Sequence, residues 1–192
     1  MTHFRSRREF LAAMAAAPVL LHGEHAFASA ITPVRIAPLS EPGEQIVVSG
    51  VVYHADGVTP AAGARLFAYH VDRFGIYAKG SDEPKNIARL KAYFSADDQG
   101  RYSFATIRPA SYPDSTTSAH IHVHAAVKGT SDSDLFQYPF AVPNFLFEGD
   151  RFLSSREAEA ARAAGRFNNV LRLTPRSGGG HEGTRHIKLG RT

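Results

Sequence analysis

Three histidines stand at alternate positions in His120-Ile121-His122-Val123-His124. Successive side chains on a strand face opposite ways, so the three imidazoles share one face while Ile121 and Val123 share the other. Imidazoles two residues apart can hold one ion, because imidazole nitrogen is a ligand for iron, copper, zinc and nickel. A solvated strand face gives the same spacing, and ten histidines in 192 residues make a chance cluster ordinary. The nearest further donors upstream are Tyr112 and Asp114. Tyr112 precedes Pro113, which biases its backbone toward an extended form and holds its ring in one direction. A half-buried loop tyrosine is the plainer reading of that residue. The chain has no cysteine, which removes thiolate zinc sites, iron–sulfur clusters and thiol nucleophiles. Any metal must then be held by His, Tyr, Asp or Glu.

The elements that must position these residues are short and rich in β-branched side chains. Gln45–Tyr53 (QIVVSGVVY) predicts a strand, Asp56-Gly57 and Pro60 a turn, and Arg65–Val71 the next strand. Tyr77 falls in the loop from Asp72 to Gly80. Asp97-Asp98-Gln99-Gly100 predicts a turn between strands at Leu90–Phe94 and Tyr102–Ile107, and the Pro-rich segment Arg108–Ser118 a loop. Ala119–Val127 alternates in polarity and predicts the histidine strand. One helix is expected, with Ser154 and Glu157 as a capping box and Gly165 ending it. Short strands follow at Val170–Thr174 and His186–Leu189. Many short strands with a single short helix near the C-terminus indicate an all-β fold, a β-sandwich of prealbumin-like kind.

The first thirty residues predict an export signal. Arg5, Arg7 and Arg8 supply the basic end, Leu11–Leu21 the apolar run, and Ala28-Ser29-Ala30 the small-residue cleavage site. Ser6-Arg7-Arg8-Glu9-Phe10-Leu11 resembles a twin-arginine motif, which implies the twin-arginine export machinery as a partner and a periplasmic or secreted destination. The apolar run is too short for a stable membrane anchor. The division is therefore 1–30 as signal and 31–192 as one sandwich domain. Residues 31–192 carry 19 basic and 16 acidic side chains, scattered along the chain, so no basic stripe supports nucleic-acid binding.

The ordered set Gly63-Ala64, Gly75-Ile76-Tyr77, Asp97-Asp98-Gln99-Gly100-Arg101-Tyr102-Ser103-Phe104, Thr106-Ile107-Arg108-Pro109, Tyr112-Pro113 and His120-Ile121-His122 resembles the intradiol ring-cleavage dioxygenases. These include the catechol, hydroxyquinol and protocatechuate enzymes. The resemblance runs from about Gln45 to Asp150 and implies a non-haem Fe(III) held by Tyr77, Tyr112, His120 and His122. It also implies a small aromatic diol and O2 as substrates, a muconate-type diacid as product, and Tyr112 as the proton acceptor. Tyrosinate oxygens are hard anionic donors suited to Fe(III), a set distinct from the two-histidine, one-carboxylate triad of Fe(II) oxygenases. Two departures stand out. Thr117 occupies the place where the family carries an arginine, leaving Arg108 as the candidate substitute. Gln137 is the candidate for the family's glutamine beyond the second histidine.

Two other readings share parts of this pattern. A non-catalytic sandwich module of prealbumin or carboxypeptidase-regulatory kind has the same strand and turn grammar. A zinc or copper protein would use His120, His122 and His124. A homodimer is compatible with the open sheet edges of such a fold.

Overall fold

The computed structural model describes residues 31–77, 88–137, 140 and 142–190. The expected signal at 1–30 lies outside the described residues. Among the described residues, no helix is long and apolar enough to cross a membrane.

Eleven strands are described: β1 Val34–Arg35, β2 Gln45–Tyr53, β3 Arg65–His70, β4 Leu90–Ser95, β5 Arg101–Ile107, β6 His122–Ala126, β7 Leu146–Phe147, β8 Val170–Leu171, β9 Thr174–Pro175, β10 His181–Thr184 and β11 Ile187–Lys188. Helix α1 spans Asp132–Gln137 and α2 spans Ser155–Ala163, with a 3-10 turn at Gly165–Phe167. One sheet runs β1-β5-β2-β10-β9, with β11 also paired to β2; a second runs β4-β3-β6. Strands β7 and β8 form a small parallel pair.

The two larger sheets face each other across one core. Val48 and Val52 from β2 and Phe104 from β5 meet Leu66 and Ala68 from β3, Phe94 from β4 and Val123 from β6. Alternation sends the other face of β3 and β6 outward, carrying Phe67, Tyr69, His122 and His124. That outer face is not bare. Leu135 of α1 is fully buried against a second cluster with Phe67, Tyr69, Ala88 and Ala126. The functional groups therefore lie on the outer face of the small sheet, roofed in part by α1.

The predicted sandwich and its long strands are present. The histidine strand is shorter than expected: Ile121 pairs with Phe145 across an isolated bridge, so His120 stands off the end of β6. Helix α2 begins at the predicted cap, where Ser154 Oγ accepts from the Glu157 N–H and the Glu157 carboxylate accepts from the Ser154 N–H. Helix α1 adds to the single helix expected. Its six residues are too few to show a helical period, yet Ser131 caps it by accepting the Asp134 N–H.

Candidate metal centre

Two loops and one strand bring four donor atoms together. Tyr77 lies on the loop after β3, whose turn is formed by Asp72: the carboxylate accepts the N–H groups of Phe74 and Ile76, and the carbonyl accepts that of Gly75. The Asp72 carbonyl also lies 3.2 Å from the N–H of Ala110, on the loop bearing Tyr112. Gly75 fits against that loop so closely that a Cβ there would stand 2.2 Å from the Ser111 carbonyl oxygen. The positions of Tyr77 and Tyr112 are thus set by one interlocked pair of loops.

The Tyr77 and Tyr112 hydroxyls are 2.6 Å apart. Tyr112 Oη lies 3.0 Å from His120 Nε2 and 3.3 Å from His122 Nε2, and the two Nε2 atoms are 3.0 Å from each other. His120 is buried; its Nδ1 lies 2.7 Å from the Ser118 carbonyl, which can only accept, so Nδ1–H donates there and Nε2 is turned to the cluster. The His122 ring stacks on Tyr69, its partner across the β3–β6 ladder, at 4.6 Å and 14°. Burial pushes the His122 pKa down to about 4, helped by repulsion from His120, while a hydrogen bond to the Asn144 side chain acts the other way. His122 is therefore neutral, and its Nε2 faces the same point as that of His120.

These four contacts share too few protons. Tyr77 and Tyr112 bring one O–H each, and the 3.0 Å Nε2–Nε2 contact leaves room for at most one further proton between the two imidazoles. A cation resolves this: metal bonds of about 2.0–2.2 Å put adjacent donors roughly 3 Å apart, matching the spacing seen. Burial, followed by the hydrogen bond with Tyr112, pushes the Tyr77 pKa upward, so its phenolate needs a positive charge at that point to form at neutral pH. Two phenol oxygens with two imidazole nitrogens fit a hard, oxidised first-row ion.

Several expectations are corrected. His124 does not join the other two histidines; its ring packs edge-on to Phe67 and Tyr69, and no group of three or more His, Cys, Asp or Glu among the described residues is placed to hold a metal. The three-histidine zinc or copper reading loses its ligand set. Arg108 is committed elsewhere: its guanidinium lies over the Phe147 ring at 5.2 Å and 3.8 Å from the Glu44 carboxylate, and it is not on the wall of the cavity beside Tyr112. Gln137 is exposed at the end of α1 and, among the described residues, makes no hydrogen bond with the four donors. Sequence patterns did not point to Tyr69 or Asn144, since only the β3–β6 register and the fold of the 144–147 segment bring them to His122. His70 is a satisfied core residue: Nδ1–H donates to the Val71 carbonyl and Nε2 accepts from Thr106 Oγ1, both at 2.6 Å.

A cavity of about 540 Å³ adjoins this cluster, lined by residues 110–116 and Arg151. Tyr112 is the one donor residue on its wall.

Solved structures resemble this fold across most of the chain. The dioxygenase domain of a dioxygenase–carbohydrate-binding protein fusion from Streptomyces sp. SirexAA-E superposes with a TM-score of 0.57 at 22% identity, covering 88% of this chain and 96% of that one. An intradiol ring-cleavage dioxygenase from Tetranychus urticae gives 0.57 at 16% identity, covering 83% and 88%. A catechol 1,2-dioxygenase from Candida albicans (strain SC5314) is 36% identical over 66 residues, which are 34% of this chain and 22% of that protein. A model of the dioxygenase family (Dioxygenase_C) matches residues 18–165. The chain belongs to the intradiol ring-cleavage dioxygenase family, a family of enzymes. The family match contains all four donor residues, and this family member places their donor atoms at a single point.

Proposed function

We propose that the protein binds Fe(III) through Tyr77, Tyr112, His120 and His122 and cleaves a catechol-type ring between its two hydroxylated carbons with O2, giving a muconate-type diacid. The observation that carries this reading is the convergence of two tyrosine oxygens and two imidazole nitrogens, with four contacts among them at 2.6–3.3 Å. Iron bound there supplies Lewis acidity that favours ionised diol oxygens and the electron acceptance that opens the ring to O2. His120 and His122 are the fixed donors, one held by the Ser118 carbonyl and the other by Tyr69 and Asn144. Tyr77 is half-buried against the Tyr69 cluster. Tyr112 would be the donor open to an incoming diol, because it alone of the four lines the cavity wall. Its Oη would take the proton of a diol hydroxyl, a general-base role. The roof formed by Leu135 and Phe136 shields the outer sheet face behind the histidines from water.

Purified protein should contain about one iron per chain and show a broad visible charge-transfer band that shifts when catechol is added. Tyr112→Phe should alter that band, and His124→Ala should leave it in place. Metal-replete protein without iron and without the band would falsify the reading. Export by the twin-arginine route is part of the same proposal; replacing Arg7 and Arg8 by lysine should retain folded protein in the cytoplasm.

A further inference from the structure

The segment between β1 and β2 reaches the bases of both tyrosine loops. It is firmly seated: the Ile36 N–H donates to the Ala105 carbonyl at 2.9 Å, and Ala37 is fully buried. Further on, the Glu41 N–H donates to the Pro38 carbonyl, and the Gln45 side-chain amide donates to the Glu41 carbonyl. This turn presents the Glu41 side chain, which is only 9% exposed. Its two carboxylate oxygens accept from both terminal nitrogens of Arg89, at 2.6 and 2.8 Å. A guanidinium fork on two carboxylate oxygens fixes direction as well as distance, which a point charge does not. Arg89 stands just before β4, and its backbone N–H donates to the Tyr77 carbonyl at 3.2 Å. Its Nη2 also lies 3.9 Å from the Asp72 carboxylate, which builds the turn before Tyr77. Glu44 repeats the arrangement at the Tyr112 loop. Its carbonyl accepts the Arg108 N–H at 2.8 Å, and its carboxylate lies 3.8 Å from the Arg108 guanidinium.

We propose that Glu41 and Arg89 are positioning residues for Tyr77, so that the segment after β1 braces the metal centre from outside it. Their effect passes through the backbone on both sides of Tyr77, and the Asp72 carbonyl carries it to Ala110 in the Tyr112 loop. An ion pair with an exposed partner does little for stability, so its loss leaves the fold standing. What changes is the direction from which Tyr77 enters the cluster. The role toward iron rests on the metal reading above; the placement of the Tyr77 ring does not.

The first measurement is iron retained by the full chain against a competing chelator, beside urea unfolding of the metal-free protein. Glu41→Gln and Arg89→Gln should each release iron about tenfold more readily and shift the tyrosinate charge-transfer band. The double variant should do no worse than either single one, because the pair acts as a unit. Glu41→Asp keeps the charge with a shorter reach and should fall between the parent and Glu41→Gln. Arg176→Gln breaks the Arg176–Glu182 pair of the other sheet, 3.3 Å apart, and should hold iron as the parent does. The second measurement needs no metal: fluorine NMR of metal-free protein carrying fluorotyrosine, assigned through Tyr77→Phe and Tyr53→Phe. Glu41→Gln should move the Tyr77 resonance and leave that of Tyr53 in place. The brace is overturned if Glu41→Gln and Arg89→Gln hold iron as firmly as Arg176→Gln, if their losses add in the double variant, or if the Tyr77 resonance stays put. If the parent binds no iron but the Tyr77 resonance moves, the brace stands and the metal reading falls. If iron binds with the expected band and the resonance stays put, the outcome is reversed.

Discussion

Gly75 offers a direct test of whether the interlocked loops position the tyrosines. Its φ is +82°, and a Cβ added there would lie 2.2 Å from the Ser111 carbonyl oxygen and 2.9 Å from Pro113 Cδ. An alanine in that backbone region costs about 1–2 kcal/mol from local sterics alone. Relieving the contact requires a shift of about 1 Å between the Tyr77 and Tyr112 loops, with a packing cost of roughly 1–3 kcal/mol. Metal sites tolerate only about 0.2 Å in ligand distance, and disturbed supports typically cost 10–100-fold in affinity. Gly75→Ala should therefore lose iron to a competing chelator at least tenfold more readily. Gly129→Ala is the control: its φ is +87°, yet nothing lies within 4 Å of its added Cβ. It carries the backbone cost without touching the site. The assay is iron retained against chelator concentration, read beside denaturant unfolding of both variants. If Gly75→Ala holds iron as firmly as Gly129→Ala, the two loops do not set the tyrosine geometry and the reasoning fails.

Other consequences concern the core and the helix cap. Burial holds the His70 pKa at about 4, below its ordinary 6.5. The unfolded chain thus binds more protons between those values; the stabilisation is complete above about pH 6.5 and is lost as pH falls toward 4. The loss is about 3 kcal/mol in the metal-free protein, and His70→Gln should flatten that part of the unfolding curve. Thr106→Val leaves the buried His70 Nε2 without its donor and should cost about 1–3 kcal/mol in urea unfolding while iron binding is unchanged. Ser154→Ala removes the α2 cap and should cost about 1 kcal/mol, measured the same way.

How much of the site is visible in the sequence depends on how local each contact is. His120, His122 and Tyr112 lie within eleven residues, and the eight-residue step from tyrosine to histidine can be read directly, as can the β-branched run of β2. Tyr77 is 35 residues from Tyr112, and their 2.6 Å contact depends on the Asp72 turn and on the missing Cβ of Gly75. The support of His122 is less legible still. Tyr69 meets it only because β3 and β6 pair in one register, and a slip of one residue would turn Tyr69 to the opposite face. Arg108 shows the converse. Its place in Thr106-Ile107-Arg108-Pro109 made it a candidate, yet the fold binds it between Glu44 and Phe147. Arg151, which no spacing singled out, reaches the cavity because Asp150 and Phe152 tie its turn to Ser118 and Ala119. Donor types are written in local spacing, whereas the groups that orient the donors come from strand register and loop-to-loop hydrogen bonds.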